Sequence, residues 1–160
     1  MTYEKTPAMP QYRIAIEIEA PVEKCFVGST AESAMMHWIP GVKSVVYDHA
    51  SAPEPYGVGS ERTVTVGFGK PLVERITEYV KPSSLSYRVQ TFGAIGDKLI
   101  RNYLARMTFT AIAPNRTKLT WEGHFECPTC RWLTEPLLKR VLGGVTTKMA
   151  NRLKNFLQAN

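Results

Sequence analysis

Four polar residues stand out because each shares a strand face with apolar neighbours. Arg62 alternates with Val64 and Val66, Glu74 with Ile76, and Arg101 with Tyr103. A buried ion must pair, hold a ligand or reach water, because desolvating it alone is costly. Gathered in one place, Arg62, Glu74, Arg101 and Tyr103 would orient an acidic or phenolic ligand. Glu74 or Tyr103 could then move a proton. His37 is a third proton-transfer candidate, since an imidazole titrates near neutrality. A salt bridge at the rim of a fold is the plainer account of the same residues.

The sulfur chemistry is slight. Cys127-Pro-Thr-Cys130 is one Cys-x-x-Cys pair, and Cys25 stands alone. Two thiolates fall short of the four ligands of a structural zinc site. His124 is the nearby imidazole, and strand alternation opposite Trp121 puts it toward solvent. Neither a metal nor a cofactor is expected, and no iron or zinc ligand pattern is visible.

The elements that must position these groups are legible from periodicity. Apolar residues recur at Leu137, Leu138, Val141, Leu142, Val145, Met149, Leu153 and Phe156. Steps of three and four predict a helix over Thr134 to Leu157, about 36 Å long. Val141, Val145, Met149 and Leu153 are expected to face a sheet. Tyr12, Ile14, Ile16 and Ile18 alternate with Arg13, Ala15, Glu17 and Glu19, which predicts a strand. Pro21 ends it, and Val22 to Met36 reads as two short helices broken near Gly28. Strands follow over Val42–Asp48, Ser60–Phe68, Leu72–Val80, Leu85–Thr91, Leu99–Ala113 and Thr117–Glu126. Phe92 to Asp97, with two glycines, reads as a loop. Pro136 near the helix start implies a break between Cys130 and Leu133.

The 160 residues carry a net charge of +6 without a dense basic run, which gives no support to nucleic-acid binding. No apolar run reaches the ~18 residues of a membrane span. Met1 to Pro10 has no signal-peptide core and reads as a flexible leader before one domain over 11–158. A cytoplasmic location is expected, and homodimerisation is left open.

Several passages together resemble the START-like helix-grip (SRPBCC) superfamily, in particular its polyketide cyclase/dehydrase-like group. Ile16-Glu-Ile-Glu-Ala-Pro-Val-Glu-Lys-Cys-Phe26 is similar to its opening strand and first helix. Trp38-Ile-Pro-Gly-Val42 is similar to its passage into the second strand. Gly57-Val-Gly-Ser60, Lys81-Pro-Ser-Ser84 and Thr117-Lys-Leu-Thr-Trp121 match later turns and strands. The resemblance covers residues 12 to 157. It implies an α+β fold, a seven-stranded curved antiparallel sheet wrapped around a long C-terminal helix, in the order β-α-α-β6-α. It also implies a cavity between sheet and helix for a small hydrophobic or aromatic ligand, lipid or polyketide-like.

On that fold, the residues expected at the ligand are Trp38, Arg62, Val64, Val66, Glu74, Tyr87, Arg101, Tyr103, Met107, Trp121, Gly143, Val145 and Met149. Gly143-Gly144 costs helix stability at about 1 kcal/mol per glycine and would leave room for a ligand or a strand. The entrance is expected near Trp38 and the Phe92–Asp97 loop. A cyclase or dehydratase using the polar cluster is the second reading. A protein-binding module using the basic helix face is the third.

Overall fold

In a computed structural model of the chain, residues 9–160 are described. The expected leader falls mostly outside them. Strand β1 (Tyr12–Ile18) leads into helices α1 (Val22–Thr30) and α2 (Glu32–Trp38). Strands β2 (Val42–Asp48), β3 (Glu61–Val66), β4 (Leu72–Val80) and β5 (Ser84–Thr91) follow. Then come α3 (Gly93–Leu99), β6 (Arg101–Ala113), β7 (Arg116–Glu126) and α4 (Arg131–Ala159).

The seven strands form one sheet in the order β1-β7-β6-β5-β4-β3-β2, with every neighbouring pair antiparallel. From β2 to β7 the chain meanders, with short turns joining β3 to β4, β4 to β5 and β6 to β7, the 49–60 loop joining β2 to β3, and α3 joining β5 to β6. β1 reaches β7 only after the α1–α2 excursion, which carries the chain from one edge of the sheet to the other. The α+β helix-grip architecture is therefore present as expected.

Local chemistry explains the elements. Tyr12 and Ile18 are buried, Ile14 and Ile16 are half-buried, and Arg13 and Glu17 are exposed, as a one-sided strand requires. Thr117 Oγ1 donates to the Ala20 carbonyl at 2.8 Å and ties the end of β1 to β7. The break between α1 and α2 falls at Ala31, not at Gly28. Gly28 lies inside α1 because α4 packs on it: a Cβ there would stand 2.5 Å from Leu157 Cδ2.

Two expected irregular stretches are helical. The Phe92–Asp97 stretch winds into α3 because the Asp97 carboxylate accepts from Phe92 N at 2.7 Å and from Thr91 Oγ1 at 2.8 Å. Helix α4 begins at Arg131, with Pro136 inside it rather than behind a break. Its first turn is held by Thr134, whose Oγ1 donates to the Thr129 and Cys130 carbonyls.

The buried line of α4 is Thr146, Ala150, Leu153 and Leu157. Leu153 is core as expected and Met149 is partly buried, but Val141 and Val145 stand about half exposed. The helix carries more apolar residues than its sheet-facing side can cover.

His124 is also placed differently. It lies on the outward face of β7, yet its ring is buried, beside the backbone of Met9. Neither ring nitrogen makes a hydrogen bond with the described residues at accepted geometry. Burial pushes the imidazole below its usual range, against the pull of Glu122. The unfolded chain takes up this proton below about pH 6.5, where the folded protein still refuses it. Stability should therefore fall as pH drops from about 6.5 through the lowered folded value. Denaturant midpoints between neutrality and about pH 5 should show this slope, and His124→Leu should flatten it. An unchanged slope in the variant would assign the acid sensitivity elsewhere.

Candidate functional site: a cavity under helix α4

Between the concave face of the sheet and α4 lies a cavity of about 290 Å³. That is close to the lower end, ~300 Å³, of ordinary small-molecule pockets. Strands β3, β4 and β5 give one wall through Val64, Leu72 and Val89. Helix α2 and its following turn give Met35, Trp38 and Pro40, and α4 gives Leu142, Val145 and Met149. Phe92, at the start of α3, completes the apolar surround.

Two of the expected polar residues enter it as a pair. Arg62 and Glu74 sit opposite each other across β3 and β4, and both are buried. Arg62 Nε and Nη2 each lie 2.5 Å from Glu74 Oε2. Arg62 Nη1 donates to Tyr47 Oη at 3.2 Å, and the guanidinium lies 4.7 Å from the Tyr87 ring centre. Burial disfavours the arginine charge, but Glu74, Tyr47 and Tyr87 outweigh it and hold the group protonated. The two contacts use one carboxylate oxygen, which leaves Oε1 for another donor.

A hydroxyl chain forms a second polar group. Thr146 Oγ1 on α4 donates to Tyr12 Oη at 3.0 Å, and Tyr12 Oη is hydrogen-bonded to Tyr103 Oη. Either hydroxyl of the Tyr12–Tyr103 pair can donate in that bond, so one of the pair's two hydrogens is left for an acceptor at the cavity that Tyr103 lines. Burial raises the Tyr12 phenol and pushes those of Tyr87 and Tyr103 well above the usual range. All three are neutral donors near pH 7. Trp121 also lines the cavity, and its buried Nε1–H lies toward the Tyr87 phenol without a well-formed hydrogen bond to it.

Of the residues expected at the ligand, Trp38, Arg62, Val64, Val66, Glu74, Tyr87, Tyr103, Trp121, Val145 and Met149 line this space. Arg101, Met107, Gly143 and His37 do not. Arg101 is exposed because Asn102 takes a φ of 53° and the β6–β7 register shifts between Arg101 and Leu104. The strand alternation that would have put it beside Tyr103 is broken there. Met107 is packed in the sheet core against Leu85 and Trp121. Gly143 faces β1, where a Cβ would meet Tyr12 Cβ at 3.7 Å. His37 is exposed and stacks on Phe156 at 5.0 Å.

Sequence reasoning missed Tyr12 and Thr146 as a linked pair. They are 134 residues apart, and only the seating of α4 on β1 joins them. Gly123 makes that seating work. A Cβ there would stand 2.2 Å from Tyr12 Cε1 and Cζ. Gly123→Ala should cost about 1–3 kcal/mol as a small-to-large change. It should also break the Tyr12–Tyr103 link, because the ring must move. A denaturant titration showing less than about 0.5 kcal/mol would mean that the ring has free room to shift.

A family model described as polyketide cyclase / dehydrase and lipid transport matches residues 9–158. The chain belongs to this family. Its fold recurs widely. A protein from Thermobifida fusca, solved by NMR, is 24% identical, with 91% of each chain covered and a TM-score of 0.72. A START superfamily protein from Mycobacterium smegmatis is 13% identical, with 92% of this chain and 97% of that one covered, and a TM-score of 0.69. Truncated norcoclaurine synthase from Thalictrum flavum is 13% identical, with 93% of each covered and a TM-score of 0.69. Likeness at this identity shows the fold alone. No curated protein matches the sequence.

Membership in this family and the helix-grip fold support a ligand-binding role. Among the described residues, no three of His, Cys, Asp or Glu gather where a metal could bind, and no helix is long and apolar enough to cross a membrane.

Proposed function

We propose that this protein binds one small, neutral, largely apolar ligand under α4, with an oxygen acceptor at its polar end. The observation that carries this reading is a cavity walled by apolar side chains whose polar atoms include two donors, the spare hydroxyl hydrogen of the Tyr12–Tyr103 pair and the buried Trp121 Nε1–H, which lies toward Tyr87 Oη without a well-formed hydrogen bond. A buried donor without an acceptor is destabilising, and a ligand carbonyl or ether oxygen would satisfy it. A charged ligand fits less well. The Arg62 charge is already matched by Glu74, and an added carboxylate would meet Glu74 in a desolvated space.

The volume supports a compact ligand. At ~30 Å³ per water, about ten waters would fill the space, which suits one or two fused rings and not a long acyl chain. The enzyme reading needs a group that changes protonation during turnover. Tyr87 and Tyr103 are held as neutral phenols by burial, so they serve binding better than proton transfer.

Calorimetric titration with naphthalene, 2-acetylnaphthalene and 2-naphthoate tests the reading. The ketone should bind with a micromolar Kd, about −8 kcal/mol. It should beat the hydrocarbon by roughly tenfold, one hydrogen bond's worth, and beat the carboxylate by more. Trp121→Phe should remove most of the ketone's advantage. Tightest binding of the carboxylate, or no binding of any of the three, would overturn the proposal. Native mass spectrometry of the purified protein would then show whether a ligand of another class travels with it.

A further inference from the structure

Helix α4 shows water a face that a folded protein rarely leaves bare. Leu133 is 59% exposed, Leu137 61%, Val141 50% and Val145 49%, spaced four residues apart. They form a stripe about 18 Å long at ~1.5 Å per residue. Trp132, 81% exposed, stands at its head. The stripe ends at the cavity, because Val145 is also a lining residue. Two more exposed apolar side chains flank the cavity. Phe68 follows the lining residue Val66 by two positions, and Ile95 follows the lining residue Phe92 by three.

The charges on this side have one sign. Helix α4 holds Arg131, Lys139, Arg140, Lys148, Arg152 and Lys154 against one acid, Glu135. Glu135 is consumed by Arg131 at 2.6 Å and Lys139 at 2.9 Å. Arg140 and Lys148 are exposed on the same side of the helix as Leu137 and Val141. Around the cavity, Lys43 lies 4.0 Å over the Phe68 ring, and Lys70 and Lys98 are exposed. The one acid of α3, Asp97, has its oxygens engaged by Thr91 and Phe92.

Apolar side chains among cations, with a tryptophan at one end, match the interfacial layer of an anionic bilayer. A second copy of the chain matches poorly. Pairing two such faces would bring Arg140 and Lys148 of each copy together with no acid of that face between them, which is repulsive. The geometry points to docking of α4 on an anionic lipid surface, with Leu137 and Val141 entering the headgroup layer and the cavity mouth held at the membrane. The proposal does not depend on which ligand the cavity takes.

Vesicle flotation tests it, using phosphatidylcholine alone and phosphatidylcholine mixed with phosphatidylglycerol. The full chain should float with the mixed vesicles at low salt, and much less with the neutral ones. Added salt should release it. Trp132 fluorescence should shift to the blue on binding, and this component should vanish in Trp132→Phe. Leu137→Ser with Val141→Ser should weaken partitioning by at least tenfold. Arg140→Glu with Lys148→Glu should weaken it by roughly fivefold or more per residue. Both double variants should keep native circular dichroism and bind 2-acetylnaphthalene like the parent, since none of the four residues lines the cavity. Failure to float with mixed vesicles, or flotation of either double variant equal to the parent's, would overturn the proposal. So would a sedimenting dimer that Leu137→Ser with Val141→Ser dissolves, since it would give the face to a second copy.

Discussion

Arg62→Met should destabilise the protein by about 3–5 kcal/mol, because it leaves Glu74 buried without its cation. Both partners are nearly inaccessible, and both arginine contacts fall on the same carboxylate oxygen. The substitution also removes the donor to Tyr47 Oη and the cation over the Tyr87 ring. Glu74→Leu alone should cost a comparable amount, by stranding the guanidinium. The double variant, Arg62→Met with Glu74→Leu, should recover most of the loss, since an apolar pair of similar volume often replaces a buried ion pair at little cost. Denaturant titrations of the four proteins give the coupling directly. If the double variant is as unstable as the sum of the singles, the two residues are not a coupled pair. The double variant should also keep more of the 2-acetylnaphthalene advantage over naphthalene than Trp121→Phe does, because the hydroxyl and indole donors remain.

Leu153→Ala should cost about 2–5 kcal/mol, as a large-to-small change at a fully buried site. Leu153 lies on the one line of α4 without solvent, between Ala150 and Leu157. Leu157 in turn fills the notch at Gly28 of α1, so little is free to collapse into the space. A loss under about 0.5 kcal/mol, measured by thermal or denaturant unfolding, would mean that α4 is held elsewhere.

These two sites show which parts of the molecule could be read from the residues. Leu153 was legible because it sits on a periodic stripe, and periodicity survives without coordinates. The same stripe also contained Val141 and Val145, which are half exposed. Thr146 and Ala150 lie deeper than either, and nothing in their types announces it. A hydrophobic stripe says that a face is buried, and how many residues it covers depends on the width of the partner sheet.

The pair Arg62 and Glu74 was legible for a similar reason. Each shares a strand face with valine or isoleucine, and β3 and β4 pair without a break between them. Arg101 was not, because one positive φ at Asn102 reverses the alternation, and asparagine announces that only weakly. His124 was misplaced by the same rule applied where it holds. Its side chain does point outward, but a neighbouring segment covers it. Alternation assigns a direction, whereas burial depends on what lies there. The Thr146–Tyr12–Tyr103 chain joins three elements from both ends of the sequence, and no local pattern predicts such a meeting.

The placement of β1 has a consequence for how the protein is made. Its hydrogen-bonding partner is β7, and 109 residues separate Arg13 from the Glu122 it meets across that ladder. A ribosome adding ~5–20 residues per second needs about 5–20 s to supply the missing strand. Through that interval the nascent chain holds β1 unpaired, while the meander from β2 to β6 is already free to form. Closing so long a loop is slow compared with forming local hairpins. On the ribosome β1 can gain its sheet partner only once β7 has been made, and α4 comes after that. Until then Tyr12 has neither Gly123 beneath it nor Thr146 beside it, and the ligand chamber does not exist. A truncated chain released before β7 would keep most of its strands and have no pocket, with an open apolar edge for chaperones to recognise.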